Sequence, residues 1–254
     1  MKKIIDRIFR KILIIKELLL TNIIKTIYFN FKVFPLKTAI KLPIWFYGKT
    51  YFRSLAGEVK IQHPVYPGMI KIGITNIYVD HSIPENIWGI YGKLIINGPL
   101  KMGRGSYVHI ARNGTLTLGA RGWYGSQLKL ICFDNITFGE QISITWDCQF
   151  YDTSFHYIEL LNQNNEVKPL TAPIKIGDRV WIGNRSTISK GAIIPSNTII
   201  ASNSLVNKSY STLEPYTMLA GQPAKPKAYG VRRIFDSQIQ AHWDTKYGYS
   251  RNRL

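Results

Sequence analysis

A six-residue period in the C-terminal half constrains the fold of this chain more than any other feature. Starting at Ile176, an aliphatic residue recurs at every sixth position, namely at Ile176, Ile182, Ile188, Ile194, Ile200 and Val206. The fifth position of each unit is small or β-branched, and it is occupied by Val180, Ser186, Ala192, Thr198 and Ser204. Units that stay in phase without a slip indicate stacked structural repeats, in which each repeat buries its apolar edge against its neighbours.

A β-strand of about two or three residues followed by a tight corner explains this pattern. The aliphatic residue points into a narrow triangular core, and the small residue fills the space beside it. The corner limits the size of the second residue, which is Gly177 or Gly183 in the first two units. We therefore predict a mainly β protein, a parallel β-helix in which about three units form one coil.

A weaker register precedes these repeats. It runs through Ile72, Tyr78, Pro84, Ile90, Ile96, Met102 and Val108, and again through Leu118, Leu130, Ile136 and Ile142. Between Asp147 and Pro173 the period fails, and the polar stretch LNQNNEVKP within it predicts a loop that leaves the β-helix. We place the β-helix domain at residues 54–230 and this loop at about 147–175, where chemistry is often found because loops project from a rigid scaffold.

Residues 1–53 form a basic arm with a different pattern. The chain has 33 Lys and Arg against 15 Asp and Glu, a net charge of +18, and the arm supplies a large share of that excess. Apolar residues recur at steps of three and four between Lys2 and Leu20, which predicts an amphipathic helix. Its longest apolar run, Ile12 to Ile15, is much shorter than the ~20 residues needed to cross a bilayer, and it is too short for a signal peptide.

The second part of the arm, Ile27 to Tyr51, mixes aromatic residues with lysines and is interrupted by Pro35 and Pro43. Aromatic rings beside ammonium groups suit the headgroup layer of an anionic membrane. The alternative is that the arm packs over one end of the following domain or along a sister chain. We expect a cytoplasmic protein, peripheral on the inner face of the cytoplasmic membrane, and no nucleic-acid partner because no recognition motif accompanies the charge.

Three motifs resemble the hexapeptide-repeat acyltransferases, particularly the sugar O-acetyltransferases of the galactoside, maltose and surface-polysaccharide branches. They are DTSFHYI at 152–158, PIKIGDRVWIGNRSTISKGAIIP at 173–195 and AGQPAK at 220–225. The resemblance covers roughly residues 70 to 230. It implies a left-handed β-helix, a homotrimer with sites formed jointly by neighbouring chains, and transfer of an acetyl group from acetyl-CoA to a sugar or lipid-linked saccharide. No metal is expected.

The resemblance also implies which residue acts as the base. His156 takes the place of the histidine that deprotonates the acceptor hydroxyl, which then attacks the thioester directly without an acyl-enzyme. Imidazole suits this role because it is neutral at cytoplasmic pH and accepts a proton. Asp152 is the nearest acid, four residues upstream, and is the first choice for the carboxylate that orients His156, while Asp147 is the next. Relatives often carry an additional acid where this chain has Ser154. A solvated or structural role is the alternative for a single loop histidine.

The donor site follows from the same resemblance. Trp181 is placed beside the pantetheine arm, Asn184 and Ser202 supply backbone amides near the thioester and the cofactor, and Lys208 lies near the phosphates. Gly221 and Lys225 belong to the AGQPAK motif, in which the glycine shapes the pocket wall. Trp181 alternatively only packs at a corner, and each lysine alternatively is a solvated surface charge. Pro195, Ala201 and Asn203 depart from the pattern, because relatives usually have glycine there.

Two rival functions make different demands on the sequence. A γ-class carbonic anhydrase requires three histidines that converge on zinc, and the candidates His63, His81 and His109 are scattered along the sequence. A non-catalytic, membrane-associated scaffold for polysaccharide assembly would lack the base, whereas His156 is present. Residues 231–254, with Arg232, Arg233, His242 and Trp243, lie outside the repeat, and we expect a short tail that caps the last coil.

Overall fold

The structure is a computed structural model that describes the backbone of residues 2–75 and 84–249, and the side chains of residues 11–75 and 84–249. Its strands wind into three mainly parallel sheets, which form the faces of a triangular prism. Sheet A contains β1 (Ile44–Phe46), β4 (Ile70–Ile74), β7 (Leu100–Gly103), β10 (Trp123–Tyr124), β13 (Ser143–Ile144), β18 (Trp181–Ile182), β21 (Ile199–Ile200), β23 (Met218–Ala220) and β24 (Lys225–Ala228), in this spatial order.

The other two faces follow the same order along the prism. Sheet B contains β2 (Thr50–Leu55), β5 (Asn86–Ile90), β8 (Tyr107–Ile110), β11 (Lys129–Cys132), β14 (Gln149–Tyr151), β19 (Thr187–Ser189) and β22 (Leu205–Val206). Sheet C contains β3 (Glu58–Ile61), β6 (Lys93–Ile96), β9 (Thr115–Leu118), β12 (Asn135–Phe138), β17 (Ile174–Ile176) and β20 (Ile193–Ile194). The chain passes from A to B to C in each coil, so the corners form three edges, which we call the A–B, B–C and C–A edges.

The six-residue repeat has the predicted structure. All six aliphatic positions from Ile176 to Val206 are buried, as are the five small or β-branched positions from Val180 to Ser204. Trp181 pairs with Ile199, and Thr187 pairs with Leu205, so three units complete one coil. The fourth residue of each unit lies at the corner and has a positive φ, which is the left-handed backbone conformation. These corner residues are Arg179, Arg185, Gly191, Asn197 and Asn203. The predicted β-helix is confirmed.

The earlier, weaker register is also largely correct. Every described position assigned to it between Ile72 and Ile142 is buried except Pro84. Pro84 is exposed because it lies before β5 rather than within it, so its assignment to the core was wrong. Tyr78 lies outside the described residues.

Three helices precede the β-helix, namely α1 (Lys2–Leu19), α2 (Ile23–Val33) and α3 (Leu36–Ala39). Helix α2 covers the first coil: the Asn30 side chain donates to Ile44 O at 2.7 Å and accepts from Ile44 N, and Thr26 Oγ1 accepts from Phe46 N. These polar side chains satisfy the open edge of β1, and Phe29 packs against Phe46.

The β-helix therefore begins inside the segment 1–53 that the sequence assigns to the arm, and α2 packs over its end. None of the described helices is both long and apolar enough to cross a membrane.

The C-terminal segment does not cap the last coil as expected. After the antiparallel pair β23 and β24, residues 231–236 and helix α4 (Ser237–Lys246) lie against the outer face of sheet A. The Arg233 guanidinium is 5.9 Å from the ring centre of Trp181, a residue of β18. The segment runs there because sheet A presents partly exposed indole rings on its outer face, which offer apolar and π surface to pack against.

Candidate active site

His156 lies on a loop that interrupts the B–C edge. The loop leaves the coil after β14 and returns at β17, and its tip is a small antiparallel hairpin of β15 (Ile158–Leu160) and β16 (Glu166–Lys168). An isolated bridge between Thr153 and Thr171 closes its base. The imidazole of His156 is solvent-exposed and is therefore accessible from solution.

The residue before His156 has an unusual backbone conformation. Phe155 has a φ of +60°, which is uncommon for a bulky residue and is typical of tightly constrained turns. Its ring lies 5.9 Å from the ring of Phe133 and 6.3 Å from that of Tyr151, as measured between ring centres. These contacts with the body of the β-helix hold the turn that presents His156.

Lys190 anchors the same loop. Its ammonium donates to Ser154 Oγ at 3.0 Å and to the carbonyl oxygen of Pro169 at 2.6 Å. The Ser154 hydroxyl in turn lies 2.9 Å from the carbonyl oxygen of His156. The sequence did not indicate this role, because nothing in the repeat pattern distinguishes Lys190 from a solvated lysine and its partners are distant in the chain.

The structure gives Asp152 a different partner from the predicted one. Its carboxylate is buried and accepts hydrogen bonds from the backbone N–H of Phe133 at 2.7 Å and of Asp134 at 2.8 Å. Burial raises the pKa of Asp152 above its usual value, although the two amide hydrogen bonds act in the opposite direction. Asp152 thus fixes the loop base to the preceding coil.

Neither candidate acid contacts the predicted base. Asp147 is exposed, and its carboxylate is 4.0 Å from Arg185 Nε. Within the described part of the chain, no hydrogen bond joins His156 to Asp152 or Asp147. The orienting carboxylate proposed for His156 therefore has no support in this arrangement.

The A–B edge carries the second group of predicted site residues. Asn184 and Ser202 occupy equivalent corners of successive coils, and the Ser202 hydroxyl donates to Asn184 Oδ1 at 2.6 Å. Their backbone N–H groups donate no hydrogen bond to any described residue, so both amides are available to a ligand. Gly221 follows on the same edge with a φ of +103°, which favours glycine. Trp181 is 36% exposed on the outer face of sheet A.

The two predicted lysines lie apart. Lys208 follows β22 at the B–C edge, and its ammonium is 5.5 Å from the ring centre of Tyr210. Lys225 begins β24 and is exposed at the end of sheet A. Within one chain, His156 and Lys208 therefore share the B–C edge, whereas Trp181 lies on the face opposite that edge, and Asn184, Ser202 and Gly221 lie on the A–B edge.

A cleft of about 680 Å³ lies between the outer face of sheet A and the C-terminal segment. Four of the six tryptophans and two arginines line it, namely Trp123, Trp146, Trp181, Trp243, Arg232 and Arg233. The sequence did not predict this cleft, because the C-terminal segment has no repeat that would place it on sheet A.

The described residues contain no group of three or more His, Cys, Asp or Glu side chains that could hold a metal ion. His63 is exposed near Tyr66, and His109 packs between Tyr91 and Phe133. His81, the remaining candidate zinc ligand, lies outside the described residues. Cys132 and Cys148 are buried free thiols.

Comparisons with known proteins agree with this architecture. Residues 173–208 match the family model "Bacterial transferase hexapeptide (six repeats)". No curated protein matches the sequence. Among solved structures, the polySia specific acetyltransferase NeuO aligns over 81% of this chain and 85% of its own, with 19% identity and a TM-score of 0.53.

Two further solved structures align less closely. AntD, an N-acyltransferase from Bacillus cereus in complex with dTDP and 3-hydroxybutyryl-CoA, aligns over 85% of this chain and 98% of its own, with 13% identity and a TM-score of 0.42. The polysialic acid O-acetyltransferase OatWY aligns over 79% and 96%, with 19% identity and a TM-score of 0.33. Residues 173–208 therefore carry hexapeptide repeats, and the NeuO alignment shows the same β-helix fold.

Proposed function

We propose that this protein transfers an acetyl group from acetyl-CoA to a hydroxyl group of a sugar or lipid-linked saccharide, with His156 as general base. The observation that carries the proposal is an exposed histidine on an anchored loop of a hexapeptide-repeat β-helix. The loop is held by Lys190 and Asp152, and His156 follows a residue with positive φ, so the imidazole is presented by a constrained turn. NeuO, which has the same fold, is an acetyltransferase.

The chemistry balances with the residues present. The neutral imidazole of His156 accepts the proton of the acceptor hydroxyl as its oxygen attacks the thioester carbonyl carbon. The carbon–sulfur bond breaks, the CoA sulfur leaves as a thiolate, and the imidazolium returns the proton to it. The products are an O-acetyl ester and CoA, and no acyl-enzyme is formed. The backbone amide of Asn184 donates to the carbonyl oxygen while negative charge develops on it.

The positions of the predicted site residues favour a site built from two chains. His156 leaves the B–C edge, whereas Trp181 lies on the opposite face and Asn184 and Ser202 lie on the A–B edge. A prism cannot bring these positions together within one chain without unfolding. In a closed threefold homo-oligomer, the B–C edge of one chain faces the A–B edge of its neighbour, and three equivalent sites result.

The donor residues retain their predicted roles in this proposal. Trp181 contacts the pantetheine arm, and the free amides at Asn184 and Ser202 bind the thioester end. Gly221 lets the chain turn closely beside the cofactor. Lys208 and Lys225, both exposed, bind the phosphates of CoA.

The N-terminal arm places the enzyme at an anionic membrane surface in this proposal. Helix α2 turns Thr26 and Asn30 towards the β-helix and leaves Ile24 79% and Phe31 49% exposed on its other side. Helix α1 exposes a run of aliphatic residues from Ile12 to Ile15, and Glu17 ties the helix to Lys71. An exposed apolar surface flanked by lysines suits the interface of a membrane with anionic lipids.

Thiol release from acetyl-CoA by the purified protein tests the transferase, with a panel of neutral and acidic saccharides and lipid-linked saccharides as acceptors. We expect release that depends on an acceptor and is lost in His156→Ala. His63→Ala, an exposed histidine remote from the loop, serves as the matched control and should keep full activity. A protein that neither binds CoA nor releases thiol favours the scaffold function instead.

Flotation with vesicles tests the membrane surface. Because deletion of residues 1–53 would also remove β1 and most of β2, point variants are the sharper experiment. Ile24→Ser combined with Phe31→Ser should abolish flotation with vesicles that contain phosphatidylserine. Leu161→Ser, at an exposed apolar position of the loop far outside the arm, serves as a control and should float like the wild type. Flotation that persists in the double variant would show that α2 is not part of the membrane-binding surface.

A further inference from the structure

The cleft on sheet A has an unusual combination of side chains. Four indole rings provide broad apolar faces, and the guanidinium groups of Arg232 and Arg233 supply positive charge. No Asp or Glu lines this cleft. Such a surface suits a ligand that has flat apolar faces for stacking and negative charges for hydrogen bonding to arginine.

The position of the cleft relative to the donor residues indicates which substrate it receives. From Trp181 in β18, the cleft extends over β13 and β10 to Trp146 and Trp123, towards the N-terminal end of the β-helix. Ser202, Gly221 and Lys225 lie in the coils on the other side of Trp181. The proposed donor residues and the cleft therefore lie on opposite sides of Trp181 along the axis of the β-helix.

Size and charge narrow the ligand further. A volume of about 680 Å³ accommodates a few sugar rings, and such pockets usually bury most of a bound ligand. A neutral saccharide would offer no anionic partner to the guanidinium group of Arg232 beside the indoles. A carboxylated saccharide would pair its carboxylate with Arg232, whose planar fork accepts bidentate binding, and place its ring faces on the indoles.

We infer that this cleft is the acceptor subsite and that the acceptor is a saccharide bearing carboxylate groups. The assignment of the cleft as an acceptor subsite rests on the proposed transferase function, whereas the saccharide-binding site itself rests on the cleft alone. Arg233 stacks on Trp181 and Phe235, so it shapes the cleft wall, and Arg232, which is exposed, is the residue available for direct pairing.

Intrinsic tryptophan fluorescence of the full chain, measured without CoA, tests the inference. Trp45 and Trp88 are buried in the core, so a change in emission on adding ligand reports on the four indoles of the cleft. The probes are a tetramer of sialic acid, a hyaluronan tetrasaccharide, and chitotetraose as a neutral control of the same length. The variant is Arg232→Gln. The control variant, matched for charge, is Arg112→Gln, which changes an exposed arginine at the B–C edge between β8 and β9.

We expect saturable quenching by at least one acidic tetramer, with the neutral tetramer binding about tenfold more weakly. Arg232→Gln should weaken binding by about fivefold and Arg112→Gln should not change it, while raised salt should weaken binding to the wild type. Equal binding of chitotetraose, or no quenching by either acid, overturns the inference. Quenching by CoA that displaces the acidic tetramer competitively also overturns it, because the cleft would then hold the donor.

The two proposals fail in different ways. Acetyl transfer to neutral sugars without binding of acidic tetramers would leave the transferase standing and remove the acidic acceptor. Binding of an acidic tetramer without thiol release in its presence would leave the saccharide site standing and count against the transferase.

Discussion

The B–C and A–B edges of the β-helix carry the two halves of the proposed site, and they are built in different ways. At the B–C edge the chain leaves the coil, and His156 is held by side chains, namely the ammonium of Lys190 and the carboxylate of Asp152. At the A–B edge the chain keeps its regular corners, and the atoms offered to a ligand are backbone amides at Asn184 and Ser202.

In the proposed mechanism, this difference separates proton transfer from donor binding. The A–B edge is fixed by the ladder of the β-helix itself, so its amides keep their positions whichever side chains are present. The B–C loop depends on a few contacts and responds to single substitutions. Variants of the loop should therefore change turnover, and variants of the A–B wall should change donor binding.

The largest expected effect is the loss of the base. His156→Ala should lower kcat for acetyl transfer by about 10²- to 10⁴-fold, because the hydroxyl then lacks a positioned proton acceptor. KM for acetyl-CoA should stay within about twofold, since none of the proposed donor contacts is made by the His156 side chain. The temperature of thermal unfolding should change little, because the side chain is exposed. Steady-state kinetics with thermal unfolding of the same samples checks all three quantities. A large rise in KM with unchanged kcat would contradict the division between the edges.

Mixed oligomers test whether the two edges meet between chains. Trp181→Glu places a carboxylate where the pantetheine arm is proposed to pass, and we expect it to be inactive but folded, because Trp181 points outwards. Co-expression with His156→Ala should restore about a quarter of the activity, since random mixing gives that fraction of interfaces an intact base and an intact wall. Each variant alone should remain inactive. No recovery in verified mixed oligomers would mean that each site is complete within one chain.

Asp152→Asn tests whether the Asp152 carboxylate has a structural or a catalytic role. The carboxylate accepts two backbone N–H groups, whereas an amide offers one acceptor and turns an NH₂ group towards the other donor. We expect a loss of about 1–3 kcal/mol in the free energy of unfolding, measured by urea titration. Asp147→Asn should cost little, because that side chain is exposed. A loss of activity without a loss of stability would restore Asp152 as an orienting residue.

The effect of Asp152→Asn on the free energy of unfolding should also depend on pH. Burial raises the pKa of Asp152 in the folded protein, so the folded state binds the proton more tightly than the unfolded state. This contribution to stability is present below the unfolded pKa of about 3.9 and is lost as pH rises through the folded pKa. The stability gap between wild type and Asp152→Asn should therefore narrow as pH rises through that window. A gap that widens would contradict the effect of burial.

The sequence predicted the regular coils well for a physical reason. From Ile176 to Val206 the coils have the same length, so each core residue is followed by another at a fixed interval and the pattern reinforces itself. In the earlier coils Leu94 pairs with Leu116 and Val108 with Leu130, so those coils are longer and the six-residue period slips between them. The six-residue register of these earlier coils was therefore visible in the sequence only within single coils.

The site was predictable only where it lies on a motif. His156 and Trp181 belong to segments with a characteristic local sequence, but the partners that position them come from elsewhere. Lys190 and the C-terminal residues Arg233 and Trp243 reach the site through contacts between distant segments, which leave no periodic trace. The expected pairing of Asp152 with His156 followed sequence proximity, whereas the fold turns that carboxylate towards the preceding coil.

The smallest expected effect concerns the anchor of the B–C loop. Lys190→Met removes the donor that joins Ser154 to the carbonyl oxygen of Pro169 and should favour loop opening by about 1 kcal/mol, roughly fivefold in the opening equilibrium. Hydrogen exchange of the loop amides should accelerate by that factor, and kcat should fall with KM for acetyl-CoA unchanged. Lys190→Arg should recover part of both, because it keeps the charge and the donors. Lys175→Met, an exposed lysine on β17 beside the loop, should change neither. Faster exchange with full kcat would show that the B–C edge tolerates motion and that the base finds its position only when the substrate binds.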